Sequence, residues 1–228
     1  MDTSNPDNLL SCGIRILRES DKDIDDLFEG RNDEIISLLA RYINEIELFN
    51  SAYGLVGTND LCEIIIKHIL DSLSPLGIIS RLLKGRAVRI ADAGSGAGLP
   101  GIPLSIALPN CEFTLIERMG RRVGFLMNTK AALALSNITV EEGELEKTKN
   151  NYFSLITSRA FKPLEPKLLK AHFNACTEDG IIAAYKGRLE KTEKEIAPLK
   201  NTIKFREAIP YSVPFLNEER HLLIIRKN

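Results

Sequence analysis

Four glycines fall within eight positions in the stretch Asp92-Ala93-Gly94-Ser95-Gly96-Ala97-Gly98-Leu99-Pro100-Gly101-Ile102-Pro103. A β-rich run leads into it and a helical pattern leads out, with Pro103 in the first turn, where its missing N–H removes nothing needed. A chain that leaves a strand abruptly and brings its backbone against a ligand needs positions without Cβ that tolerate positive φ. Gly96, Gly98 and Gly101 satisfy the dinucleotide spacing GxGxxG, while Asp92, Gly94, Gly96 and Gly98 give the acidic-x-G-x-G-x-G spacing associated with S-adenosylmethionine. Glu117, about 20 positions on, could accept hydrogen bonds from a ribose diol in either case. On spacing alone both ligands stay open, as does a turn that only packs a helix on a sheet. The phosphate-binding spacing GxxxxGK followed by Ser or Thr does not occur.

The elements around this turn narrow the choice. Short β-rich runs at 87–92, 112–117, 137–140, 153–158 and 180–185 alternate with helical patterns at 102–108, 121–135, 163–175 and 189–199. That alternation predicts an α/β fold with right-handed crossovers and a parallel sheet covered on both faces. Runs at 203–209 and 221–226 leave no room for a helix between them, so the sheet should end in an antiparallel hairpin. Before Arg86 the pattern is helical. Ile35, Leu38, Leu39, Tyr42, Ile46 and Phe49 recur at steps of three and four; Leu61, Ile65, Ile69 and Leu73 line a second helix, with Asp60 as N-cap and Glu63 in a capping-box position. We expect a helical N-terminal subdomain over residues 1–85, with an acidic leader at 1–29, and a second domain over 86–228. A terminal hairpin suits a methyltransferase sheet. A dinucleotide enzyme more usually continues into a separate catalytic domain, for which no length remains.

Five segments in register then carry a specific likeness: His68-Ile69-Leu70-Asp71-Ser72-Leu73, Asp92 to Leu104, Ser158-Arg159-Ala160-Phe161, Tyr185-Lys186-Gly187 and Glu219-Arg220-His221-Leu222. Together they closely resemble the bacterial RsmG (GidB) family of 16S ribosomal RNA guanine-N7 methyltransferases, from about Ile35 to the C-terminus. The resemblance implies a Rossmann-like methyltransferase domain, S-adenosylmethionine as cofactor, and a guanine of the 530 loop, conventionally position 527, as target, reached in 16S rRNA, the small ribosomal subunit or an assembly intermediate. Carried over by position, the cofactor contacts are Gly94 and Leu99 in the glycine loop, Leu145 and Glu146 after the third strand, and Arg159.

The chemistry expected of such an enzyme is alignment. Guanine N7 bears an in-plane lone pair and needs no deprotonation, and holding two reactants in attack geometry can supply about 7–11 kcal/mol. In place of the N/D-P-P-Y/F motif of exocyclic-amine methyltransferases, or a cysteine nucleophile, the chain has Thr157-Ser158-Arg159-Ala160-Phe161. Arg159 should meet the cofactor carboxylate or an RNA phosphate, because a guanidinium beside the methylated base would oppose transfer. His68 and Asp71, one helical turn apart, are expected to pair and support the site. RNA-binding candidates are Arg118, Arg121, Arg122, Lys130, Lys162, Lys186, Arg188 and Arg220, several of them just past strand ends, with Phe161 as a base-stacking candidate.

Composition bounds the rest. The chain has 228 residues, 44% hydrophobic and 27% charged, an ordinary globular make-up. Its net charge of −1 hides a polarity: residues 1–50 hold five basic and twelve acidic side chains, a net −7, and the remainder holds 25 and 19, a net +6. A basic body suits a polyanionic partner, and the acidic leader should lie away from the face that meets it. The four cysteines lack metal-ligand spacing, so no metal is expected. No apolar run reaches the roughly 20 residues of a membrane span, which points to a cytoplasmic protein. A nicotinamide-dependent oxidoreductase and a non-catalytic RNA-binding protein are the rival readings.

Overall fold

The computed structural model describes residues 5–159, 165–199, 203 and 205–226. Six helical pieces precede the sheet: α1 (Pro6–Ser20), α2 (Lys22–Phe28), α3 (Asn32–Tyr53), α4 (Leu61–Ile64), α5 (Asp71–Leu73) and α6 (Leu76–Leu83), with a π-helical turn, Ile65–Leu70, joining α4 to α5. Asp60 caps α4 by accepting from the amides of Cys62 and Glu63. The reciprocal half of the expected capping box is not made: the Asp60 amide donates to the Thr58 hydroxyl and Glu63 pairs with Lys67. Pro75 interrupts the run between α5 and α6.

Strands and helices then alternate: β1 (Arg89–Ala93), α7 (Gly101–Ala107), β2 (Glu112–Glu117), α8 (Gly120–Ala132), β3 (Ile138–Glu142), β4 (Phe153–Arg159), α9 (Pro166–Ala175), β5 (Cys176–Lys186), α10 (Leu189–Ile196), β6 (Phe205–Val213) and β7 (Leu216–Arg226). The strand order is β3-β2-β1-β4-β5-β7-β6. The first five strands are parallel, and β7 inserts antiparallel between β5 and β6. The expected hairpin is therefore present, with its strands longer and its turn tighter than the apolar runs suggest.

Side-chain alternation divides the interior into two layers. Ile90, Leu155, Ile181, Leu222 and Ile224 face a core built with α1, α3, α6, α7 and α8, while Ala91, Ile156, Ile182, Leu223 and Ile225 face α9 and α10. The N-terminal helices and one face of the sheet thus share a continuous core. The start of α7 is closely packed: a Cβ on Gly101 would meet Leu115 and lie 2.7 Å from Asp92 Oδ2 and 3.0 Å from Asp92 Cβ. Gly101→Ala should overpack that junction and lower stability by about 1–3 kcal/mol. Urea denaturation would check it, and an unchanged midpoint would contradict the packing described.

Candidate functional site: a cleft at the strand ends

The loop after β1 is held from several directions. The amides of Gly94 and Ser95 both donate to the Ile116 carbonyl, at 3.0 Å each, which folds the loop toward β2. Asp92, fully buried, gathers the rest: its Oδ2 accepts from Ser95 Oγ at 2.7 Å and from the Gly101 amide at 3.0 Å, and its Oδ1 accepts from Thr157 Oγ1 at 3.4 Å. Burial pushes its carboxyl up to about 6, against the pull of these donors and of Arg159. From α3, the buried Tyr42 hydroxyl donates to the Ala97 carbonyl at 2.6 Å. Gly94, Gly96 and Gly98 have φ of 70°, 61° and 91°, the left-handed region that a side chain would strain.

Beside this loop, outside the C-terminal ends of β1, β2, β3 and β4, lies a cavity of about 440 Å³. The sheet order reverses between β1 and β4, and a crevice there is where open α/β sheets bind ligands. Of the sequence candidates, Gly94, Glu117, Leu145, Glu146 and Arg159 line it. Gly98 and Leu99 do not: a Cβ on Gly98 would run into Ile102 and Leu126, and Leu99 is in the core, so both shape the loop from its inner side. Gly96 donates its amide to Glu117 Oε2 at 2.9 Å, and the other Glu117 oxygen accepts from the Met119 amide at 2.9 Å. A carboxylate has about four lone-pair sites, so two remain for a ligand. Sequence reasoning missed Glu144, Glu165 and Lys167 on the wall and took Arg118 and Arg122 for RNA contacts alone. Arg122 Nη2 donates to the Gly54 carbonyl at 3.1 Å, while its Nε is buried without a partner.

Arg159, at the end of β4, also reaches away from the cavity into the N-terminal helices. Nη1 donates to the Lys67 carbonyl at 3.0 Å and sits 3.4 Å from the His68 carbonyl and from Asp71 Oδ2; Nη2 lies 3.0 Å from His68 Nδ1. The π turn makes this possible. The Asp71 amide bonds back to the carbonyls of Ile66 and His68 and passes over that of Lys67, which is free to take the guanidinium. His68 and Asp71 are joined through Arg159 rather than by the direct pair expected. Asp71 further accepts from the Tyr211 hydroxyl at 3.1 Å and is 3.5 Å from Arg220 Nε.

The remaining cations divide by environment. Arg118, Arg121 and Arg188 are exposed, and Lys130 is half-buried. Lys186 pairs with Glu195 at 2.6 Å, and Arg220 with Asp71 at 3.5 Å and with Glu218 at 3.1 Å. Lys162 and Phe161 lie outside the described residues.

Comparison with known proteins meets this geometry. The GidB family, described as rRNA small subunit methyltransferase G, matches over residues 35–223. The chain belongs to that family. Relatives named ribosomal RNA small subunit methyltransferase G include one from Treponema denticola, 36% identical over 96% of both chains. Another, from Nitrosococcus oceani, is 38% identical over 84% of this chain and 86% of its own. Among solved structures, a predicted O-methyltransferase from Agrobacterium tumefaciens superimposes with a TM-score of 0.54 at 20% identity, covering 70% of this chain and 79% of its own. A SAM-dependent methyltransferase from Aquifex aeolicus gives 0.54 at 15%, covering 68% and 90%. These likenesses show the fold, a Rossmann-like methyltransferase sheet, and the nicotinamide reading left open by the glycine spacing falls away.

The residues of the cleft fit the family's cofactor, S-adenosylmethionine. The volume lies within the 300–1,000 Å³ usual for small-molecule sites. Its wall carries both signs of charge, Arg118, Arg122, Arg159 and Lys167 against Glu117, Glu144, Glu146 and Glu165, as a ligand with a carboxylate and two cationic centres requires. The unpartnered Arg122 Nε adds a buried donor in need of an acceptor. Among the described residues no cluster of three or more His, Cys, Asp or Glu could hold a metal ion, and no helix is long and apolar enough to cross a membrane.

Burial and the Arg159 guanidinium hold His68 down at about 4, so the ring is neutral at pH 7. A folded-state value below the unfolded 6.5 means that stability from this group is complete above pH 6.5 and is lost as the pH falls toward 4. Asp92, raised to about 6, works in the opposite sense and is common to both proteins in a comparison with His68→Gln. Relative to that variant, the wild type should lose roughly 3 kcal/mol between pH 7 and pH 4. Parallel stability curves from urea titrations across this range would contradict the assignment.

Proposed function

We propose that this chain methylates N7 of a guanine in the 530 loop of 16S rRNA, working in the cytoplasm on the small ribosomal subunit or its assembly intermediate. S-adenosylmethionine, when bound, supplies a methyl group activated by its sulfonium. The observation that carries the reading is the position of the cleft: it opens at the switch point of a methyltransferase sheet, against a loop whose backbone is fixed by Asp92 and Tyr42. In this reading Gly94, Glu117, Leu145 and Glu146 hold the adenosyl part, with Gly96 setting the orientation of Glu117, and Arg122 or Lys167 takes the carboxylate. Arg159 acts as a positioning residue. Its donors are largely spent on Lys67, His68 and Asp71, which keeps the rim of the cleft in register with the helical subdomain and keeps the guanidinium from facing the base as it becomes positive. The N-terminal subdomain, residues 1–85, borders the loop and helps position the RNA. Exposed Arg118, Arg121 and Arg188 give phosphates a salt-dependent grip without sequence choice.

Calorimetric titration should show binding of S-adenosylmethionine and S-adenosylhomocysteine and none of NADH, and methyl incorporation into small-subunit particles should map to one guanine N7. Binding of NADH alone, or transfer to another atom, would overturn the proposal. For RNA, Arg121→Ala and Arg188→Ala should each lower the slope of log affinity against log salt by about one unit. Lys186→Ala, whose ammonium is already paired with Glu195, should leave that slope unchanged.

A further inference from the structure

Four described residues other than glycine have positive φ: Lys84, Ala134, Asn151 and Phe215. Lys84 and Ala134 sit where α6 and α8 end, and asparagine tolerates this region better than most residues. Neither reason applies to Phe215. It follows Pro214 in the two-residue turn between β6 and β7, which closes on the pair Val213 and Leu216. Proline followed by a residue at φ of 65° is the pattern of a type II turn, whose second central position favours glycine. Stability alone would therefore place glycine here. The chain instead keeps a phenyl ring in a strained backbone and leaves it 42% exposed.

The turn holds that ring outward. Val213 and Pro214 are buried and Leu216 packs against the core shared with the N-terminal helices, while Phe215 belongs to neither core layer. Ser212, Asn217 and Glu218 beside it are exposed, so one aromatic stands in polar surroundings. Strand register fixes which end of the molecule it occupies. β7 pairs with β5 as far as His221 against Lys186, the last residue of β5, and from there the hairpin continues past the C-terminal ends of the parallel strands, the end where the cleft opens. Its stem is one carboxylate away from the cleft wall: Asp71, which meets Arg159, also meets Tyr211 and Arg220. From those two residues the tip is four to five positions on, about 15 Å at roughly 3.4 Å each.

We infer that Phe215 stacks on an unpaired base of the substrate rRNA outside the cleft, close to the target guanine, and so docks the strand for transfer. The inference rests on the rRNA reading above. Every base has a π-face, which suits a contact that holds the strand rather than reads it. A protein partner would require a contiguous apolar patch, and the neighbours Ser212, Asn217 and Glu218 do not supply one. The strained turn also fixes the ring in its outward position before binding, so little freedom is lost when a base arrives.

The test uses small-subunit particles and three variants of the full chain, Phe215→Gly, Phe215→Leu and Phe215→Trp. Phe215→Gly should relax the turn, leaving the urea midpoint unchanged or higher. It should also raise KM for the particles about 5- to 150-fold, with kcat and the affinity for S-adenosylmethionine unchanged. Phe215→Leu, apolar but without a π-face, should show most of that rise, and Phe215→Trp should keep the wild-type KM or lower it. An unchanged KM in Phe215→Gly overturns the inference. So does a wild-type KM in Phe215→Leu, which would assign the ring to an apolar pocket on a ribosomal protein, and so does a lower midpoint in Phe215→Gly, which would assign it to the fold. Failure of the wild type to methylate the particles would instead overturn the rRNA reading, and with it the inference.

Discussion

A guanidinium taken out of water at the end of a strand must be given acceptors, because an unpaired buried charge costs several kcal/mol. Arg159 finds them 92 positions earlier in the chain, on the carbonyl of Lys67, and from Asp71 in the same helical run. Asp71 is itself buried, which raises its carboxyl, and its oxygens need donors of their own. It takes them from Arg159, Arg220 and Tyr211, the last two on the terminal hairpin. Satisfying one charge therefore ties three regions together: the helices before the sheet, the strand at the switch point and the last two strands. The arrangement makes the rim of the cleft a shared property of the whole chain.

The same logic explains the π turn. In a regular α-helix the Lys67 carbonyl would be occupied by the Asp71 amide. Widening one turn moves that amide onto Ile66 and His68 and frees an acceptor at the place where Arg159 arrives. A trace of this is visible in the sequence. Leu61, Ile65, Ile69 and Leu73 repeat every four residues, and in a helix of 3.6 residues per turn such a row drifts by about 40° at each step. A wider turn corrects the drift and keeps Ile65, Ile69 and Leu73 in the core. Periodicity read as "helix" passes over this, because it records which residues are apolar and not how fast the apolar row rotates.

What was legible in the sequence follows from the range of the forces involved. The bounds of β2 are those of its apolar run, and the hairpin after β5 follows from a linker too short for a helix. The turn at Asp92 to Pro103 was readable because glycine reports backbone conformation locally. Which side of that turn each residue faces was not. Gly98 and Leu99 share the motif with Gly94, yet a Cβ on Gly98 would run into Ile102 and Leu126 and Leu99 is buried in the core. Pairings across the fold were equally hidden: nothing local announces that Tyr42 will reach Ala97, that Lys186 will meet Glu195, or that His68 will face Arg159 rather than Asp71.

The charge polarity of the chain finds its place along the strand axis. The acidic run at the start of α2 is partly neutralised, Asp21 and Asp23 by Arg81 of α6 and Asp25 by Arg18 of α1. Leu27, at the far end of α2, lines a small crevice with Gly85, Arg86, Ala87, Asn110 and Cys111, the residues that lead into β1 and β2. The end of α2 therefore sits near the N-terminal ends of β1 and β2, and the cleft at the C-terminal ends of the strands. Five residues of β1 at about 3.3 Å each separate the two by roughly 16 Å, beyond a Debye length of about 8 Å at physiological ionic strength. At that distance the charges of α2 are largely screened from the cleft. The near-zero net charge of the chain gives no hint of the charges gathered at the cleft, Arg118, Arg122, Arg159 and Lys167 against Glu117, Glu144, Glu146 and Glu165.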